Sequence, residues 1–106
     1  MTTNEPRWIL YLLRNERNAL YAGITTDLSR RVFEHRARSG RGSKFTRSCK
    51  SLELVYDCVV GSRSLALKVE SRVKKLPKSR KEFLVDRRPE RCGLLEMLDL
   101  AAVAVE

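Results

Sequence analysis

Two short apolar runs, each carrying a tyrosine and separated by a polar stretch, set the first constraint on this chain. Trp8-Ile9-Leu10-Tyr11-Leu12-Leu13 leads through Arg14 to Asn18 into Ala19-Leu20-Tyr21-Ala22-Gly23-Ile24. Runs of this length, rich in aliphatic and aromatic residues and parted by polar ones, form a β-hairpin with a medium loop. Alternation along the second strand puts Leu20, Ala22 and Ile24 on one face and Tyr21 with Gly23 on the other. If Tyr11 shares the face of Tyr21, the two phenols point the same way.

The remaining chain supplies what a hairpin needs in order to be covered. Thr25, Thr26 and Asp27 are N-cap candidates before a helix starting at Leu28, in which Leu28 and Val32 are apolar and Arg31 and His35 share a face. That helix is expected to end near Ser39-Gly40, giving way to a basic, Gly- and Ser-rich loop up to Lys50. A third strand follows, with Leu52, Leu54, Tyr56 and Cys58 expected on one face. Leu65, Val69, Val73 and Leu76 then recur at helical spacing behind a cap at Ser62 or Ser64, with Glu70 just off the stripe. Pro77 ends this helix and opens another, Lys78 to about Asp86, and Pro89 opens a last one whose Leu94, Leu95 and Leu98 pack inward. The fold class is therefore α+β: a three-stranded, mainly antiparallel sheet flanked by helices, in the order β-β-α-β-α-α over a core of about 7–85, with a C-terminal helix and tail over 89–106. Splitting 106 residues would leave pieces too small to bury a core, so one domain is expected.

Apolar runs stop far short of the roughly 20 residues that span a bilayer. The N-terminal residues carry neither a basic nor an apolar signal region, so a cytoplasmic, membrane-free protein is expected. Cys49, Cys58 and Cys92 have no metal-site spacing and are expected as free thiols, Cys58 as core filler. Charge is more informative. The net +9 is concentrated in residues 27–50, with eight basic and two acidic residues, and in 68–91, with ten and four. Such blocks suit an anionic polymer, through neutralised phosphates and released counterions, and they also suit a merely solvated surface.

Cutting a phosphodiester needs activation of the attacking oxygen, a cation for charge building on the phosphoryl oxygens, and help for the leaving oxygen. Two tyrosines, an arginine and a carboxylate meet that need together, although each alone is ordinary. Ile9-Leu10-Tyr11, Tyr21-Ala22-Gly23, the run Asp27 to His35 with Arg31, and Ser64 to Glu70 stand in the order of four elements of the GIY-YIG nucleases, which this chain resembles over about residues 7–85. The likeness is greatest to the small, stand-alone bacterial branch of YhbQ-like, UPF0213-type proteins.

The resemblance implies a metal-dependent DNA endonuclease. Tyr11 or Tyr21 would act as general base or hold the attacking water, and Arg31 would stabilise charge on the phosphate. Glu70 would hold a single Mg²⁺ or Mn²⁺, a hard cation that keeps several waters. His35 would orient phosphate or nucleophile, or serve the structure alone. Gly23 would permit close approach of backbone and neighbouring helix. Arg30, Arg41, Lys44, Arg47, Lys50, Lys74 and Lys75, with Lys78, Arg80 and Lys81, would contact the DNA backbone, which gives little sequence preference and leaves room for selectivity toward branched or nicked DNA in repair or processing. Two departures stand out: Ile9 replaces the glycine of the first motif, and no asparagine follows Glu70, the only asparagines being Asn4, Asn15 and Asn18. The alternatives are a non-catalytic nucleic-acid-binding module, and an adaptor docking a protein partner.

Overall fold

The computed structural model describes residues 6–37 and 52–102. Strand β1 (Trp8–Asn15) and strand β2 (Leu20–Thr25) form the hairpin, helix α1 (Leu28–Ala37) follows, and strand β3 (Leu52–Gly61) leads to α2 (Arg63–Lys74), α3 (Lys78–Arg87) and α4 (Arg91–Met97). The sheet has the order β2-β1-β3, and both pairings are antiparallel. The α+β class and the three-stranded sheet are those expected from the sequence. Central placement of β1 follows from its composition: Leu10, Tyr11, Leu12 and Leu13 are all buried, as they must be on a strand covered on both faces.

The two faces hold separate clusters. Leu10 and Leu12 pack with Tyr56, Cys58 and Val60 of β3, with Leu65, Ala66, Val69 and Val73 of α2, with Leu84, Leu94 and Leu95 of the two C-terminal helices, and with Leu98 and Leu100 just beyond the last. Tyr11, Leu13 and Leu52 form the other cluster, joined by Tyr21, Leu28, Val32 and Leu54. The register pairs Tyr11 with Gly23 and Leu13 with Tyr21, so both phenols belong to the face that α1 covers.

β3 departs from the simple alternation expected of it. Leu52 and Leu54 belong to the α1 face, whereas Tyr56 and Cys58 belong to the α2 face. The cause is a register shift: Leu13 pairs with Leu54 and Leu12 with Tyr56, so β3 carries an extra residue at Val55 and Tyr56 and Cys58 change face, before a second shift between Trp8 and Ile9.

Local capping follows the sequence. Asp27 Oδ1 accepts from the Arg30 amide at 3.2 Å and starts α1. Ser62, rather than Ser64, caps α2, its hydroxyl accepting from the Leu65 amide at 3.2 Å. The expected end of α1 at Ser39-Gly40 and the basic loop to Lys50 lie outside the described residues. Among the described residues, Cys58 is a buried free thiol, raised above its ordinary pKa by burial, and Cys92 is an exposed one. No helix among them is long and apolar enough to cross a membrane.

Candidate active site

Tyr11 is the centre of the α1 face. Its side chain is 4% exposed, and its hydroxyl lies 3.0 Å from His35 Nε2 and 3.4 Å from Arg31 Nε. The phenol and imidazole rings meet edge to face, with centroids 5.9 Å apart. Arg31 and His35 reach the same oxygen because residues four apart on a helix share one face. Arg31 Nε can only donate, so it occupies a lone pair of the phenol oxygen; the phenol proton can then go to His35 Nε2, with the imidazole carrying its own proton on Nδ1, a tautomer inferred from the network.

Arg31 is doubly held. Its Nη1 lies 3.2 Å from Glu34 Oε1. Its guanidinium is pushed above its ordinary pKa first by the hydrogen bond to Tyr11, against desolvation, and then by Glu34. A fixed cation thus sits beside a buried phenol, with part of its surface still open to solvent.

Gly23 stands opposite Tyr11 across the sheet register. A Cβ at this position would collide with the Tyr11 hydroxyl and Cζ. The sequence assigned the close approach to the backbone and the neighbouring helix; the group that approaches is the phenol. Glycine is required here by space.

Tyr21 lies on the same face, half-buried, and its hydroxyl accepts from Asn15 Nδ2 at 3.0 Å. Asn15 is a residue that the sequence reading passed over as part of a loop. Its signal was an Asn closing a strand immediately before a tight turn, where an amide side chain can bond the turn's own N–H groups.

Glu70 comes from a different quarter. Helix α2 buries Leu65, Ala66, Val69 and Val73 against the opposite face of the sheet, and it leans chiefly on β2, the edge strand that carries Tyr21 and Gly23. The Glu70 carboxylate is 20% exposed and lies 3.2 Å from Lys74 Nζ, its i+4 neighbour. As a metal ligand it offers a single accessible carboxylate, and among the described residues no group of three His, Cys, Asp or Glu side chains gathers. One carboxylate fits a hard divalent ion that keeps most of its waters and takes further oxygens from a phosphate.

The expected DNA contacts are divided. Arg30 is largely exposed, 3.4 Å from Glu34, while Lys75 is exposed at the C-cap of α2. Lys74 is engaged by Glu70. Lys78 donates to Asn18 O at 2.6 Å and pairs with Glu82 at 2.9 Å, which makes it a fastener between α3 and the hairpin. Arg80 and Arg87 flank the half-exposed Phe83 ring, at 5.9 and 5.4 Å. Arg41, Lys44, Arg47 and Lys50 lie outside the described residues.

Residues 7–82 match the GIY-YIG catalytic domain, and the chain belongs to that family, a superfamily of endonucleases that work with divalent metal ions on DNA. Within it the chain is similar to small bacterial proteins. It is 50% identical to the UPF0213 protein YhbQ of Escherichia coli over 91 residues, 86% of each chain. A UPF0213 protein of Pectobacterium carotovorum is 49% identical over 85 residues, 80% of this chain and 84% of its own. The chain is also 48% identical to a UPF0213 protein of Yersinia enterocolitica over 93 residues, 88% and 92% of the two chains. No solved structure matches.

Proposed function

We propose that this chain is a one-domain, cytoplasmic, metal-dependent endonuclease that hydrolyses DNA phosphodiesters with little sequence preference and serves DNA repair or processing. The observation that carries the proposal is the position of the Tyr11 hydroxyl, between a proton acceptor at 3.0 Å and a cationic donor at 3.4 Å.

That geometry supports roles for Tyr11, His35 and Arg31. Tyr11 passes its proton to His35 Nε2 and takes one from the attacking water, whose oxygen forms the new P–O bond as the bond to the leaving oxygen breaks. Arg31 holds the negative charge that grows first on the phenol oxygen and then on the phosphoryl oxygens. Glu70 would hold Mg²⁺ or Mn²⁺, which supplies Lewis-acid polarisation of the phosphate and helps the leaving oxygen. Tyr21 contributes a second phenol on the same face. Arg30 and Lys75, both exposed, would meet the DNA backbone.

A second reading, a nucleic-acid-binding module without turnover, is favoured by one observation: Glu70 belongs to the helix on the other side of the sheet from Tyr11 and is paired with Lys74. Labelled single-stranded, duplex, nicked and branched DNAs incubated with Mg²⁺, Mn²⁺ or EDTA separate the two. Products that require metal and vanish in Glu70→Ala, with DNA binding retained, support the nuclease. Binding without products under every condition supports the module.

A further inference from the structure

The hairpin turn carries a side chain whose orientation is fixed from both ends. Asn15 is the last residue of β1 and is 8% exposed. Its Oδ1 accepts from the amides of Arg17 and Ala19, each at 2.9 Å. The backbone closes the same turn, Asn15 N donating to Ala19 O and Asn18 N to Asn15 O, both at 3.0 Å, with Asn18 at a φ of 67°. Turning the amide over would aim an NH₂ group at two N–H donors, so the oxygen must face the turn and Nδ2 must face outward. Nδ2 lies 3.0 Å from the Tyr21 hydroxyl. The Tyr21 oxygen is therefore an acceptor toward the turn.

Each phenol of this face accepts an N–H, Tyr11 from Arg31 beside His35 and Tyr21 from Asn15. A phenol oxygen that already accepts from an amide is a weaker base and a better donor of its own proton. We propose that Asn15 is a positioning residue of the active site, which fixes the Tyr21 oxygen as an acceptor toward the turn and makes its phenol a stronger proton donor. This rests on the nuclease reading for its consequence in catalysis, and on the turn geometry alone for its consequence at Tyr21.

Two experiments test it. In the first, Asn15→Asp keeps an acceptor for the two turn amides and replaces the donor by a second acceptor. Its kcat for DNA cleavage is expected to fall about three- to tenfold with KM within about twofold, the loss typical of one hydrogen bond. In the Tyr21→Phe background the same change is expected to add nothing. An equal loss in both backgrounds would assign Asn15 to structure alone and overturn the proposal.

The second experiment needs no cleavage. In Tyr11→Phe protein the remaining phenols are Tyr21 and Tyr56, and burial pushes Tyr56 well above the accessible range. Absorbance then follows Tyr21 by itself. Asn15→Ala, which removes the donor without adding charge, is expected to move that titration upward, because a hydrogen bond donated to the phenolate favours it. Folded Asn15→Ala protein with an unmoved Tyr21 titration overturns the proposal even if wild type cuts DNA. An upward movement, where the wild-type protein cuts no DNA, upholds the Asn15–Tyr21 pairing and rejects the nuclease reading instead.

Discussion

The two faces of the sheet are built from the same strands to different ends. On the α2 face, Leu10, Leu12, Val60, Ala66, Val69 and Val73 are all completely buried, and only Tyr56 and Cys58 interrupt the hydrocarbon there along the strands. Tyr56 settles its hydroxyl on Pro89 O at 2.6 Å. On the α1 face the cluster of three buried side chains is smaller, and its largest member brings a hydroxyl to a histidine and an arginine. One face holds the molecule together, which leaves the other able to keep polar groups close together at some cost in stability. Substitutions on the two faces should therefore separate activity from stability.

The largest effect is expected from Arg31→Ala on the α1 face. Loss of a fixed charge stabiliser costs about a hundred- to a thousandfold in kcat, whereas thermal stability should change by no more than about 1 kcal/mol, since the side chain is partly exposed. Cleavage kinetics beside a melting curve measure both; a large drop in stability with kcat preserved would reverse the assignment of the faces. Leu12→Ala on the α2 side is the mirror case. It should cost about 3 kcal/mol by denaturant unfolding through cavity formation, with kcat of the folded protein within about twofold of wild type.

Gly23→Ala tests the α1 face from beneath. The added Cβ meets the Tyr11 phenol in space that has no slack, so a loss of about 2 kcal/mol is expected together with reduced cleavage, because the hydroxyl must leave His35 and Arg31. Unchanged stability and activity would mean that Tyr11 does not lie over this glycine.

The smallest effect lies away from both faces. Arg14 clasps Glu82 through two bonds, 2.7 and 2.8 Å, and ties β1 to α3. That contact, with Lys78 beside it, holds the Glu82 carboxyl at about 2, well below its ordinary value. Because the folded pKa is depressed, the contribution is complete above the unfolded carboxylate range and fades as pH falls toward 2. Glu82→Gln should lose about 1 kcal/mol at neutral pH, as befits a partly exposed pair, and the gap from wild type should close in acid. A gap that stays constant down to pH 2 would show that the ion pair is not its source.

Much of this arrangement was legible in the residues. The alternation of Leu20, Ala22 and Ile24 against Tyr21 and Gly23 gave the hairpin its faces, because a strand's period of two is fixed by backbone geometry. Arg31 and His35, four apart, announced a shared helix face, and Leu94, Leu95 and Leu98 turned inward as their pattern indicated. Two features were hidden. The bulge at Val55 moves Tyr56 and Cys58 to the face opposite Leu52 and Leu54, and bulges are set by the register of the partner strand, which no property of β3 alone reveals. The bond from Asn15 to Tyr21 depends on which way an amide turns, and that is settled by the Arg17 and Ala19 amides once the turn has closed.

The central claim, that Tyr11 is the base of a nuclease, is tested most directly by single-turnover cleavage of a branched DNA with Mg²⁺, wild type beside Tyr11→Phe, with DNA affinity measured in parallel. The phenylalanine keeps the ring in its pocket and deletes only the hydroxyl that joins His35 to Arg31. Cleavage by wild type, a fall of about a hundredfold or more in Tyr11→Phe, and affinity within about twofold are the expected result. Equal cleavage by the two proteins would contradict it.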